Sequence, residues 1–133
     1  MKALTFIASP YAGDLEAWSN VAHLSPNVTY ARRCLAESIR QGEAPYAPHL
    51  LYTQPGVLND DNPDERDLGM QCGNCFLVAC DKVVFHCDRG VSSGMIREAR
   101  FSRDLGKRCE LRFLDAHSPE MAIAAETQLG FRR

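Results

Sequence analysis

The sequence has no apolar run approaching the roughly 18 residues that a membrane-spanning helix requires, so no membrane span is expected. It also lacks a surplus of positive charge. A net charge of -2 argues against a nucleic-acid polymer or an anionic membrane surface as partner. No repeat, low-complexity tract or linker interrupts the 133 residues, so residues 1–133 are expected to form one domain, with 130–133 as a polar tail. Residues 1–8 are too short for a secretory leader and no small-residue cleavage site follows an apolar region, which points to the cytoplasm. Metal-binding patterns are scarce. Cys72-x-x-Cys75 has no second CxxC or HxxxH beside it, and His23, His49, His86 and His117 are scattered. A zinc site usually needs four ligands, so no metal is expected.

What is present is a fold pattern. The six cysteines lie mostly in apolar periodic segments, where a thiol behaves as a small buried hydrophobe. They are expected to be reduced, with Cys72 and Cys75 facing the core. Residues 2–9, 44–49, 82–87 and 108–114 read as strands. Helices are expected between them. One starts at Ser25-Pro26 with an apolar face of Val28, Ala31, Leu35 and Ile39. A second starts at Asn62-Pro63-Asp64-Glu65 with a stripe of Leu68, Cys72, Cys75, Phe76 and Ala79. A third starts at Ser92-Ser93-Gly94, and a last one at Ser118-Pro119 carries Met121, Ala124, Ala125 and Leu129. Residues 14–25 form an ambiguous loop and residues 50–62 a second one. Strands alternating with helices predict an α/β fold. The expected form is a doubly wound, flavodoxin- or Rossmann-like sheet of four to five mostly parallel strands with helices on both faces.

In such a sheet ligands bind outside the carboxyl ends of the strands. The third helix matters most there. Met95, Glu98, Ser102 and Leu105 recur on one stripe, while Arg97, Arg100, Arg103 and Lys107 cover the outer side. A carboxylate is thus expected on an inward face, one turn from a helix start, where an unpaired charge is expensive. Spacing alone also permits a Glu bonded to a serine or an arginine. Ser92-Ser93-Gly94 can cradle an anion on free N–H groups, or simply cap the helix. Asp67 reads equally as a first-turn acid in solvent, and His49 as a ligand contact or a satisfied loop histidine.

Four segments carry a resemblance. They are Ile7-Ala8-Ser9-Pro10-Tyr11, Ala47-Pro48-His49-Leu50-Leu51, the run from Asp61-Asn62-Pro63 through Glu65-Arg66-Asp67-Leu68-Gly69, and Ser92-Ser93-Gly94-Met95-x-x-Glu98. In this order they resemble a small phage and prophage branch of the nucleoside 2-deoxyribosyltransferase-like superfamily, related to the 2′-deoxynucleoside 5′-monophosphate N-glycosidases. The resemblance implies cleavage or exchange of the N-glycosidic bond of a 2′-deoxynucleoside or its 5′-monophosphate, through a deoxyribosyl ester on Glu98. It gives Asp67 the part of assisting the departing base. Ser9, Ser92, Ser93 and Gly94 would contact sugar or phosphate, and His49 would lie near the base. Tyr11 stands about where the glycosidases carry a phosphate-binding arginine, with Arg89 as its replacement. Residues 14–25, with Trp18 and His23, look like an insertion beside the site. The resemblance further implies a small-molecule nucleoside or nucleotide as partner, no cofactor, and a homodimer or higher homo-oligomer. The alternative is a non-catalytic nucleotide-binding protein on the same fold.

Overall fold

The computed structural model describes residues 1–10 and 26–132. Tyr11 and the 14–25 segment, with Trp18, His23 and the Ser25 cap, lie outside the described residues. Four strands, β1 (Leu4–Ala8), β2 (Ala44–Tyr46), β3 (Lys82–His86) and β4 (Arg108–Arg112), form one all-parallel sheet in the order β2-β1-β3-β4. Among the described residues five helices connect or follow them: α1 (Pro26–Arg40), α2 (Pro48–Tyr52), α3 (Pro63–Ala79), α4 (Ser93–Asp104) and α5 (Pro119–Leu129). This is the α/β, doubly wound, Rossmann-like architecture expected. None of these helices is long and apolar enough to cross a membrane.

The two central strands explain the core. β3 is buried along its whole length, and β1 from Thr5 onward. Phe6, Ala8, Val83, Phe85 and Cys87 pack with Leu77 of α3, Met95 and Ala99 of α4, and Ala125 and Leu129 of α5. Ile7 packs instead with Tyr30, Cys34 and Ala47, in the cluster that seats α1. The apolar area removed from water by these two layers, at about 25 cal/mol per Å², is the main term favouring the fold. Near α1, Glu43 is held by Arg112, Lys82 and Ser38, and Arg112 holds its carboxyl down at about 2 against the effect of burial.

The helix starts follow local chemistry. The Asn62 side chain accepts from the N–H groups of Asp64 and Glu65, and Ser118 accepts from Met121 N–H. Pro63 and Pro119 occupy first-turn positions, where a missing N–H is harmless. α4 is closed by Gly106 at φ 68°, a left-handed position suited to glycine.

Several expectations about facing need correction. On α3 the buried positions are Gly73 and Leu77, whereas Leu68, Cys72, Cys75, Phe76 and Ala79 are exposed. The helix is rotated by about one residue, or 100°. The buried Gly73 is where α3 packs on Pro48 of α2; a Cβ there would stand 3.4 Å from Pro48 Cβ, an ordinary contact distance, so this packing turns the 73/77 side inward. Cys72 and Cys75 therefore face outward. On α1, Cys34 and Ser38 take the inward positions and Ile39 is exposed, because Ser38 donates to the buried Glu43 carboxylate at 2.7 Å. Leu105 of the α4 stripe, and Met121 and Ala124 of α5, are exposed as well. Residues 47–52 are not a continuation of the second strand. Pro48 starts a helix after three residues of β2, so His49 sits on α2.

Candidate active site

β1 and β3 end side by side, Ala8 in register with Phe85. Beyond the strand ends α2, the loop after it, α3 and the start of α4 enclose a cavity of about 280 Å³. His49 and Tyr52 come from α2, Asp60 from the loop, Arg66 and Met70 from α3, and Ser92, Ser93, Gly94, Arg97 and Glu98 from the α4 segment. α4 begins at this wall because Ser92 caps it, accepting from Met95 N–H at 3.2 Å. The helix start thus brings amide donors and the positive end of its dipole to the cavity.

Glu98 lies one turn into α4 and is 4% exposed. Its Oε1 meets no hydrogen-bond donor among the described residues. Burial raises its pKa to about 8, and nearby Arg97 opposes that shift only in part. One turn further along the same buried face, Ser102 Oγ donates to the Glu98 carbonyl at 2.7 Å. An unsatisfied buried carboxyl costs stability, and such groups concentrate at sites of function.

The remaining expected site residues divide. His49, Ser92, Ser93 and Gly94 line the cavity with Glu98. Burial holds the His49 imidazole at about 4, so it is neutral at physiological pH. Ser9 is buried just past the end of β1 and Arg89 is exposed in the turn after β3, and neither lines the cavity. Asp67 is not brought there either. Its side chain is 51% exposed, accepts from Gln71 at 2.9 Å and pairs with Arg97 at 3.3 Å, and these bonds lower its pKa. The helix rotation that exposes Cys72 also turns Asp67 to the rim.

Sequence reasoning missed Tyr52, Asp60, Arg66, Met70 and Arg97 as lining residues. Asp60 lies in the Asn59-Asp60-Asp61-Asn62 run, a polar cluster directly before a helix, and nothing within that run singles it out. Just past the end of β3, Asp88 is a structural clamp. Tyr30 Oη donates to its Oδ1 at 2.5 Å, and the N–H groups of Leu114 and Asp115 donate at 2.9 Å. These bonds outweigh burial and hold the Asp88 carboxyl below its ordinary range, so the strand ends are locked. Among the described residues no three His, Cys, Asp or Glu side chains converge to hold a metal ion.

A cavity walled by a helix start, two arginines and a buried carboxyl can take a small polar molecule with an anionic end. Residues 3–112 match the family model described as a domain of unknown function, DUF7768. No curated protein and no solved structure matches the chain.

Proposed function

We propose that this chain, which belongs to the DUF7768 family, cleaves or exchanges the N-glycosidic bond of 2′-deoxynucleosides or their 5′-monophosphates, with Glu98 as nucleophile. One observation carries the reading: a carboxyl buried at the cavity wall, one turn inside α4, with an oxygen left without a donor among the described residues. A carboxylate in such a place can attack C1′ as positive charge develops there, which splits one difficult displacement into two easier ones. The amide groups at Ser92, Ser93 and Gly94 would receive the 5′ end of the sugar, and a phosphate there gains from the helix dipole. His49, neutral and partly buried, would border the base. The test is incubation with a panel of deoxynucleosides and deoxynucleotides, with free base measured by chromatography. Base release by the wild type, abolished in Glu98→Gln, is the expected result.

A second reading, nucleotide binding without turnover, is favoured by one observation: Asp67, the acid that the resemblance assigns to the departing base, lies outside the cavity. Calorimetric binding of a monophosphate with no base released over hours would favour it.

A further inference from the structure

The reaction proposed above needs more than a nucleophile. A purine leaving C1′ with the bonding electron pair is a poor leaving group unless a proton reaches a ring nitrogen, and a positioned acid typically contributes about 10²–10⁴-fold. The donor must line the cavity that holds Glu98, its neutral form must be favoured there, and its backbone must be held. Asp67 meets neither of the first two conditions. His49 is kept deprotonated. Asp60 meets all three. Its side chain is 11% exposed and lines the cavity from the loop, whereas Glu98 enters from α4. Arg66 Nε and Nη2 donate to the Asp60 carbonyl at 3.1 and 2.9 Å. Asp61 N–H donates to Asn59 Oδ1 at 3.0 Å, Asn62 N–H to the Asn59 carbonyl at 3.1 Å, and Asn59 N–H to Glu65 Oε1 at 3.2 Å, so the turn is fixed on both sides. Arg66 Nε stands 3.8 Å from Asp60 Oδ1, a loose contact that orients the carboxyl without a close charge-assisted bond.

Resting on the reading of Glu98 above, we propose that Asp60 is the catalytic acid of this site. A Glu98 oxygen bonds to C1′, the C1′–N bond breaks with its electron pair passing to the base, and the Asp60 proton goes to a base nitrogen. In the second step a water attacks C1′, the ester bond to Glu98 breaks, and the Asp60 carboxylate takes the proton of that water. Among the described residues, the charged and titratable groups facing this pair are His49 and Tyr52 of α2, Arg66 of α3 and Arg97 of α4. Burial raises the pKa of both carboxyls, Glu98 to about 8. Near neutral pH Glu98 then holds the proton that the first step consumes. Moving it from Glu98 to Asp60 leaves the charge of the cavity unchanged, and the cation forming at C1′ favours the ionised Glu98.

The test compares 2′-deoxyguanosine with 7-methyl-2′-deoxyguanosine, whose base carries a positive charge and departs without protonation. Each is used as nucleoside and as 5′-monophosphate, with wild type, Glu98→Gln, Asp60→Asn and Asp67→Asn. Asp60→Asn is expected to lower kcat/KM for the unmethylated base by about 100-fold or more and for the methylated base by no more than about threefold. Activity retained on the methylated base also shows that the variant is folded. Asp67→Asn should change both by no more than about threefold, and Glu98→Gln should abolish both. Equal losses on the two bases in Asp60→Asn, no loss, or a loss confined to the unmethylated base in Asp67→Asn instead, overturns the assignment of Asp60 while the reading of Glu98 stands. A wild type that releases neither base overturns that reading and this assignment with it.

Discussion

Replacing Glu98 by Gln should make the protein more stable, by an amount that depends on pH in a defined way. In the unfolded chain the carboxyl titrates at 4.5, and in the folded protein burial moves it to about 8. Below pH 4.5 both states hold the proton and the group contributes no pH dependence. Between these values the unfolded chain gives up its proton while the folded protein keeps it, so wild-type stability falls as pH rises. The slope is about 1.4 kcal/mol per pH unit, which amounts to about 3 kcal/mol at pH 7 and about 5 kcal/mol above pH 8. Two histidines act in the opposite direction. His49 and His86 are both held at about 4, below the usual 6.5, chiefly by burial, so their contribution is lost as pH falls from 6.5 toward 4. The raw profile of the wild type therefore mixes both effects, whereas the difference between Glu98→Gln and wild type isolates Glu98. Urea unfolding at half-unit steps from pH 4 to 9 should show that difference flat below 4.5, rising to pH 8, then flat again. An imperfectly bonded amide would add only a constant offset. A difference independent of pH would refute the argument, because the carboxyl would then ionise alike in both states. Stability gained as activity is lost is the pattern expected where a buried charge is kept for function.

Three further expectations concern the surface of the site and the chain. Ser92→Asp keeps the cap on α4 but places a negative charge at the helix start. It should weaken binding of monophosphates far more than of nucleosides, and equal weakening in titration calorimetry would place the phosphate elsewhere. All six thiols should react with a thiol reagent after denaturation without reductant. In the native protein Cys72 and Cys75 should react first, since both are exposed while Cys34, Cys80 and Cys87 are buried and burial raises their pKa; slow modification of Cys72 and Cys75 would contradict the facing of α3. The chain should be at least a dimer, with the exposed Leu68, Phe76 and Val78 of α3 covered. Light scattering that finds only single chains at micromolar concentration would refute this.

The strands were legible because buried parallel strands are short apolar runs. The KVVFHC stretch at 82–87 could hardly be anything else. Caps were equally clear, since Asn62-Pro63, Ser92 and Ser118-Pro119 each satisfy orphan N–H groups by a local rule. Helix facing was less so. An apolar stripe states which side could be buried, but the packing of α3 on Pro48, a contact between segments distant in sequence, goes with burial of the Gly73 and Leu77 side instead. The site shows the same division. Glu98 was found because its own helix carried the evidence, in the Met95 and Leu105 of its stripe, of which Met95 is buried and Leu105 is exposed. Asp60 was missed and Asp67 displaced because their positions depend on how the 53–62 loop and α3 meet, and no local pattern encodes that meeting.

The position of β1 in the middle of the sheet governs the order in which this protein can be made. Its partner on one side, β2, has only three residues, and a two-stranded parallel ribbon of that length is not stable alone. Its other partner begins at Lys82, paired with Thr5 across more than half the chain. β1 emerges from the ribosome well before β3 but has no lasting place until β3 has been synthesised. Loop closure over that distance must precede any reward from the core, which slows folding relative to helical chains of this size. During synthesis the TFIA segment of residues 5–8 is an unpaired apolar strand, and shielding it until β3 arrives falls to whatever receives the nascent chain.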